Sequence, residues 1–195
     1  MISTLSKKHS FDTVFDGQKV YRLILEAMSN PLRPVHIDEY ANKLYGDHPV
    51  FLAVAMTLLD NEVSFHTCGN QVLFDEIASL TLAKRENIES ADFVFTNGEN
   101  DLKRIIENVK SGTSADPHKS ATIIIMDDSE AVLELTFSGP GINGSKAVQA
   151  TRMVETAIVI RDAQHYEYPQ GIDLIFVSGK GELFAVPRLT RREAE

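Results

Sequence analysis

A chain of 195 residues that is 43% hydrophobic is long enough to bury about 70% of its unfolded surface in one core, so no cofactor is needed to hold it together. Its formal net charge of −9, from 19 basic and 28 acidic residues, argues against broad affinity for nucleic acid, which needs a clustered basic surface. The single cysteine, Cys68, excludes an internal disulfide and fits a reducing compartment, and with no run of about 18 apolar residues and no apolar leader, a cytoplasmic protein without a membrane span is expected.

In chain order, Phe11, Val14, Tyr21, Ile24, Leu25 and Met28 recur at helical spacing. They predict an amphipathic helix over 11–28, stopped by Asn30-Pro31. A second helix over 49–59, capped by Asp47, is apolar almost all round and therefore buried. A short strand over 63–66 follows, then a helix over 71–84 capped by Asn70, a strand over 92–96, and a helix over 101–110 capped by Asn100 and stopped at Ser111-Gly112.

The runs 122–126 and 132–137 flank Asp127-Asp128-Ser129-Glu130 and read as an antiparallel hairpin. After the Gly139-Pro140-Gly141 loop, 147–163 reads as a helix, and the apolar strands 172–177 and 183–186 form a closing hairpin around Gly179-Lys180-Gly181. Local hairpins and helical crossovers together imply an α/β fold, a single domain over 1–195 with a mixed parallel and antiparallel sheet flanked by helices.

Asp173 is the conspicuous residue of the final hairpin. A carboxylate in so apolar a strand needs water or fixed donors, because an unpaired buried charge is very costly. Arg188, just beyond Pro187, is the nearest cation along the chain, and antiparallel pairing brings the two together. Arg191 and Arg192 read as a solvated tail partly offset by Glu193 and Glu195.

Other constellations are weaker. Gly139-Pro140-Gly141-Ile142-Asn143-Gly144 matches G-x-G-x-x-G between a strand and an expected helix, so Gly139 and Gly141 are candidates for an anion or partner contact. Against a dinucleotide loop stand the missing amide hydrogen of Pro140 and the absence of an acidic ribose ligand after the next strand. His66 and Cys68, two apart on a strand, would share a face, but no third metal ligand accompanies them and no metal site is expected. Asp127-Asp128 read as turn residues facing solvent, and 111–114 lacks the Lys-Ser/Thr end of a phosphate-binding loop. For pyridoxal phosphate, Asp173 could mimic the acid, but Lys119, Lys146 and Lys180 all lie in loop-like contexts, so no cofactor is expected.

Four segments occur together in one order: 21–31 (Tyr-Arg-Leu-Ile-Leu-Glu-Ala-Met-Ser-Asn-Pro), 111–117 (Ser-Gly-Thr-Ser-Ala-Asp-Pro) with 121–125, 135–142 (Leu-Thr-Phe-Ser-Gly-Pro-Gly-Ile), and 168–174 (Tyr-Pro-Gln-Gly-Ile-Asp-Leu) with 186–190 (Val-Pro-Arg-Leu-Thr). In this the chain resembles the PhnH-type subunit of the bacterial carbon-phosphorus lyase core complex. Where such proteins usually carry Pro-Gly, this chain has Pro31-Leu32, so a different turn is expected there. The resemblance implies a fold like the large domain of pyridoxal-phosphate transferases without the cofactor. It also implies partnership with the other core subunits and homodimerisation in isolation. The implied role is in the step that joins a phosphonate to ATP-derived ribose triphosphate with release of adenine, with no activity of the subunit alone. A stand-alone enzyme binding a nucleotide through Gly139-Pro140-Gly141 and a purely structural adaptor are the alternatives. Gly139, Gly141, Asp173 and Arg188 are the candidate contacts to a ligand (nucleotide or phosphonate) or to a partner.

Overall fold

The computed structural model describes residues 9–98 and 101–193. The first helix, α1 (Phe15–Ser29), turns Val20, Ile24 and Ala27 inward, and Asn30-Pro31 ends it as the sequence requires. It starts later than 11 because the Asp12 carboxylate accepts from the backbone N–H groups of Val14 and Phe15, and the Asp12 N–H donates back to Asp16. A short strand β1 (Val35–His36) and helix α2 (Asp38–Ala41) lead to α3 (Pro49–Leu58). Proline opens α3, and its residues 50–55 are all buried. No side chain caps it; the Asp47 N–H instead donates to Glu76, so Asp47 is not the expected cap.

Strand β2 (Ser64–His66) is followed by α4 (Gln71–Leu80), which the Asn70 side chain caps by accepting from the Leu73 N–H. The helix stops short of 84 because Lys84–Arg85 form β3 beside β2. Then come β4 (Phe93–Thr96), α5 (Leu102–Asn108) and β5 (Thr122–Met126). The expected cap of α5, Asn100, lies outside the described residues.

The expected hairpin of β5 with the next strand does not form. Both edges of β5 are already taken by parallel partners, β4 and β8 (Asp173–Val177), so its apolar residues 123–125 lie in the sheet centre. Strand β6 (Leu133–Ser138) leaves for a second sheet and pairs with β7 (Ser145–Ala150). The helix expected from 147 therefore begins only at α6 (Arg152–Asp162), where Thr151 accepts from the Val154 N–H. Strand β9 (Glu182–Val186) forms the expected hairpin with β8, and β10 (Arg191–Arg192) returns to β6.

The result is a mixed sheet in the order β1-β9-β8-β5-β4-β2-β3 and a small antiparallel sheet β10-β6-β7. Helices α1, α3 and α4 cover one face of the large sheet around Val20, Phe51, Ile77 and Phe95, and α5 and α6 cover the other around Ile105, Val154, Ile158 and Phe176. This is the expected α/β fold with a mixed sheet flanked by helices. No helix among the described residues is long and apolar enough to cross a membrane.

Candidate functional site

Two places in this frame concentrate polar side chains, one at each end of the parallel strands. At the amino end of β8, Asp173 meets Arg188 just past the end of β9. The guanidinium Nη2 donates to Asp173 Oδ2 at 2.5 Å and Nε to Oδ1 at 3.3 Å, while the backbone N–H of Arg188 donates to Oδ1 at 2.8 Å. Arg188 Nη1 also donates to the Pro117 carbonyl at 2.6 Å. The expected pairing is present, and the carboxylate holds both the cation and a main-chain amide. Three of the five guanidinium N–H groups are thus used, leaving one on each terminal nitrogen.

Behind this pair lies a residue the sequence reading overlooked. Arg161 on α6 is completely buried, and it donates to the carbonyls of Val186, Pro187 and Thr190 as well as to Asp162 Oδ1 at 2.9 Å. Burial pulls its pKa below the ordinary arginine value, opposed by the charge of Asp162. Arg161 thereby clasps the whole turn 186–190 from inside. Its spacing from Val154, Ala157 and Ile158 puts it on the buried face of α6, but a charged residue is ordinarily read as exposed, and that hid it.

Arg191 donates to the same Asp162 oxygen at 3.1 Å, and Arg192 pairs with Glu155 at 2.9 Å. They are not a solvated tail but the strand β10, their charges answered on α6. The Thr190 hydroxyl is buried and has no hydrogen-bond partner among the described residues.

Gly139 joins this cluster from the small sheet. A Cβ on it would lie 2.7 Å from the Leu189 carbonyl oxygen, and its φ is +141°. Gly141, at φ +83°, packs instead against Ser29 O and Pro31. The structure therefore brings Gly139 next to Asp173 and Arg188 through residues 189–190 but places Gly141 against the end of α1. Their loop joins two antiparallel strands, β6 and β7, so the helix N-terminus that a dinucleotide loop requires is not there. Both glycines serve close backbone approach.

The opposite end is open. From β2 the chain crosses through α4 on one face, and from β4 through α5 on the other, so the carboxyl ends of β2 and β4 form a topological switch point. A cleft of about 620 Å³ opens there, lined by His66, Cys68, Asn87, Glu89, Asp101 and Arg104, and a second of about 350 Å³ shares Cys68 and Gly69 on the other side. Cys68 and Asp101 hold left-handed φ values of +50° and +77°.

His66 Nδ1 lies 3.0 Å from the Glu86 carbonyl, and among the described residues no group of three His, Cys, Asp or Glu side chains could hold a metal. Although Cys68 is exposed as a residue, desolvation of its thiol pushes the pKa up to about 11, leaving it protonated at neutral pH. Asp127 and Asp128 lie at this same end and do not form a hairpin turn, since β5 and β6 belong to different sheets; Asp128 is exposed as expected and Asp127 is half-buried. Asp127 accepts from the hydroxyls of Ser129 and Thr151, and Asp128 accepts from the Gly179 N–H at 2.7 Å. Lys146, on β7, donates to the Pro31 carbonyl and Lys119 pairs with Asp116, while Asp173 is engaged by Arg188; Lys180 lines a cleft with Asp127, Asp128 and Glu182, apart from Asp173.

A doubly covered α/β sheet with a clasped amino end and an open switch point describes a scaffold able to carry a ligand or partner. The chain belongs to the PhnH family: the family described as bacterial phosphonate metabolism protein matches residues 9–193. It is also similar to a putative C-P lyase subunit protein, HtxG, of Stutzerimonas stutzeri, with 26% identity over 175 residues, covering 89% of this chain and 84% of the relative.

Where such proteins usually carry glycine, Leu32 takes φ +62° and is buried. A left-handed φ of this kind favours glycine, so the leucine holds it at a conformational cost.

Proposed function

We propose that this protein is a subunit of a carbon-phosphorus lyase core complex acting in phosphonate catabolism in the cytoplasm. Its step is the one in which a phosphonate oxygen bonds to the ribose C1′ of ATP and the bond from that carbon to adenine breaks, with adenine leaving. The carrying observation is the family match over residues 9–193, supported by a relative described as a C-P lyase subunit. The likeness of fold to the large domain of pyridoxal-phosphate transferases, without their cofactor, belongs to the same reading.

The subunit works within the assembly and not alone. In favour of this, the ionisable residues that stood out in the sequence, Asp173 and Arg188, are committed to each other and to backbone groups. In isolation the protein forms a homodimer. In favour of this, the outer face of the first helix and its start leave apolar surface uncovered, with Val14, Phe15, Tyr21 and Leu25 all at least half exposed, whereas residues 50–55 of α3 are buried. Light scattering tests this, and a monomer at micromolar concentration overturns it.

The functional reading is tested by reconstituting the complex with and without this subunit, supplying ATP and methylphosphonate, and measuring released adenine. Release should require the subunit. Undiminished release in its absence, together with full growth of a deletion strain on methylphosphonate, refutes the assignment.

A further inference from the structure

Among the described residues, three of the four sheet edges are two-residue strands, β1, β3 and β10. Such short edges offer almost nothing for another chain to pair with. The fourth, β7, is six residues long and contains neither proline nor a glycine. Its pairing with β6 sets which main-chain groups are free. The Val132 N–H donates to the Ala150 carbonyl, so residue 150 faces β6, and by alternation residues 148 and 146 do as well. Ser145, Ala147 and Gln149 then direct their N–H and C=O groups away from β6, and all three residues are exposed. Among the described residues, nothing hydrogen-bonds to those outward groups.

Clefts run along the length of β7. One of about 260 Å³ lies at its start, lined by Pro31, Arg33, Ile142 and Lys146. A smaller one of about 110 Å³ lies at its middle, between Val148 and the apolar side chains of Leu32, Pro34 and Phe184. The third, of about 440 Å³, lies at its end, where Asp127, Asp128 and Glu182 outnumber Lys180, with His36 beside them. Six residues of strand span about 20 Å, so the three clefts follow one extended segment: basic at the start, apolar in the centre, acidic at the end.

We propose that β7 is a docking edge to which an extended strand of a companion subunit adds, making the small sheet four-stranded. The open row of main-chain donors and acceptors selects a polypeptide in β conformation. The clefts select its side chains: an acidic residue beside Arg33 and Lys146, an apolar residue against Leu32 and Phe184, and a basic residue beside Asp128 and Glu182. This rests on the complex-subunit reading above and supplies the contact that reading lacks.

The decisive variant is Ala147→Pro. It removes an outward N–H and leaves the β6 ladder untouched, since residue 147 does not bond to β6, and proline is tolerated on an edge strand. Ala147→Val keeps the N–H and serves as the control. With tagged protein co-expressed with the companion carbon-phosphorus lyase subunits, folded Ala147→Pro should capture them at least tenfold less than wild type, and Ala147→Val within twofold of it.

Wild-type capture by a folded Ala147→Pro protein overturns strand addition while leaving the complex reading standing; failure of wild type itself to capture any companion subunit overturns both. If Ala147→Pro does not fold, site-resolved amide exchange decides: the Ala147 and Gln149 amides of wild type should slow at least tenfold on complex formation, and unchanged rates overturn the proposal. Concentration-dependent protection of the same amides in the isolated protein would put a second copy on the edge and overturn it as well.

Discussion

The two ends of the central sheet are built on opposite plans. At the amino end, a buried arginine, an aspartate–arginine pair and a glycine contact fix the turn 186–190 from three directions. At the carboxyl end, the loops after β2 and β4 diverge around clefts and carry residues in left-handed conformation. Parallel sheets place binding at the carboxyl ends of strands, and here the polar side chains most conspicuous in the sequence sit at the other end. Prominence of a charged residue in an apolar strand marks a structural lock as readily as a site.

Arg161 should break the contrast most severely. Arg161→Met removes the donors of three carbonyls and strands the Asp162 charge beside Arg191, costing about 4 kcal/mol, to be read from urea unfolding. A loss under about 1 kcal/mol would show that the clasp is dispensable. Asp173→Asn should cost about 2 to 3 kcal/mol, since the pair is partly exposed and Arg188 keeps its bond to Pro117. Adenine release by the reconstituted complex should persist below the melting temperature of that variant, whereas its abolition in a folded protein would turn the lock back into a site.

Gly139→Ala forces a side chain toward the Leu189 carbonyl at a left-handed φ, so about 1 to 2 kcal/mol should be lost. A neutral result in thermal melts would mean that the loop shifts freely. Thr190→Val tests the same end with the opposite sign. Removing a buried hydroxyl that has no partner among the described residues should leave stability unchanged or raise it by up to about 1 kcal/mol; a clear loss would reveal a bond donated by that hydroxyl.

At the open end, the thiol of Cys68 should resist alkylation at pH 7. Its folded pKa lies above the ordinary cysteine value, so the thiolate population, and with it the rate with iodoacetamide, should keep climbing as pH rises toward about 11. A rate that levels off near pH 8.5 would show an ordinary, solvated thiol and a looser cleft than described.

What was legible in the sequence followed local rules. The final hairpin and its Asp173–Arg188 pairing came from strand length, turn residues and antiparallel geometry, and Asn70 marked the start of α4. What was not legible depended on partners distant along the chain. Strand β7, Ser-Lys-Ala-Val-Gln-Ala, has the composition of a helix, and only pairing with β6 makes it a strand. The departure of β6 to another sheet followed from β8 occupying the free edge of β5, and β8 comes nearly 50 residues later. Arg161 stayed hidden because its acceptors are carbonyls, which every residue has.

The pairing of β10 with β6, and of β9 with β1, has a consequence for how this chain comes into being. Both sheets are closed by residues after 181, which are synthesised after every strand they pair with. The early strand β1 and the middle strand β6 each wait with an unpaired edge until then, and the Val186 and Thr190 carbonyls that Arg161 holds follow it by 25 and 29 residues. Long-range closure of this kind slows folding and leaves unpaired strands open to mispairing in the meantime. Closure of both sheets in a nascent chain therefore waits on strands made after β8, whatever the stability of the finished fold.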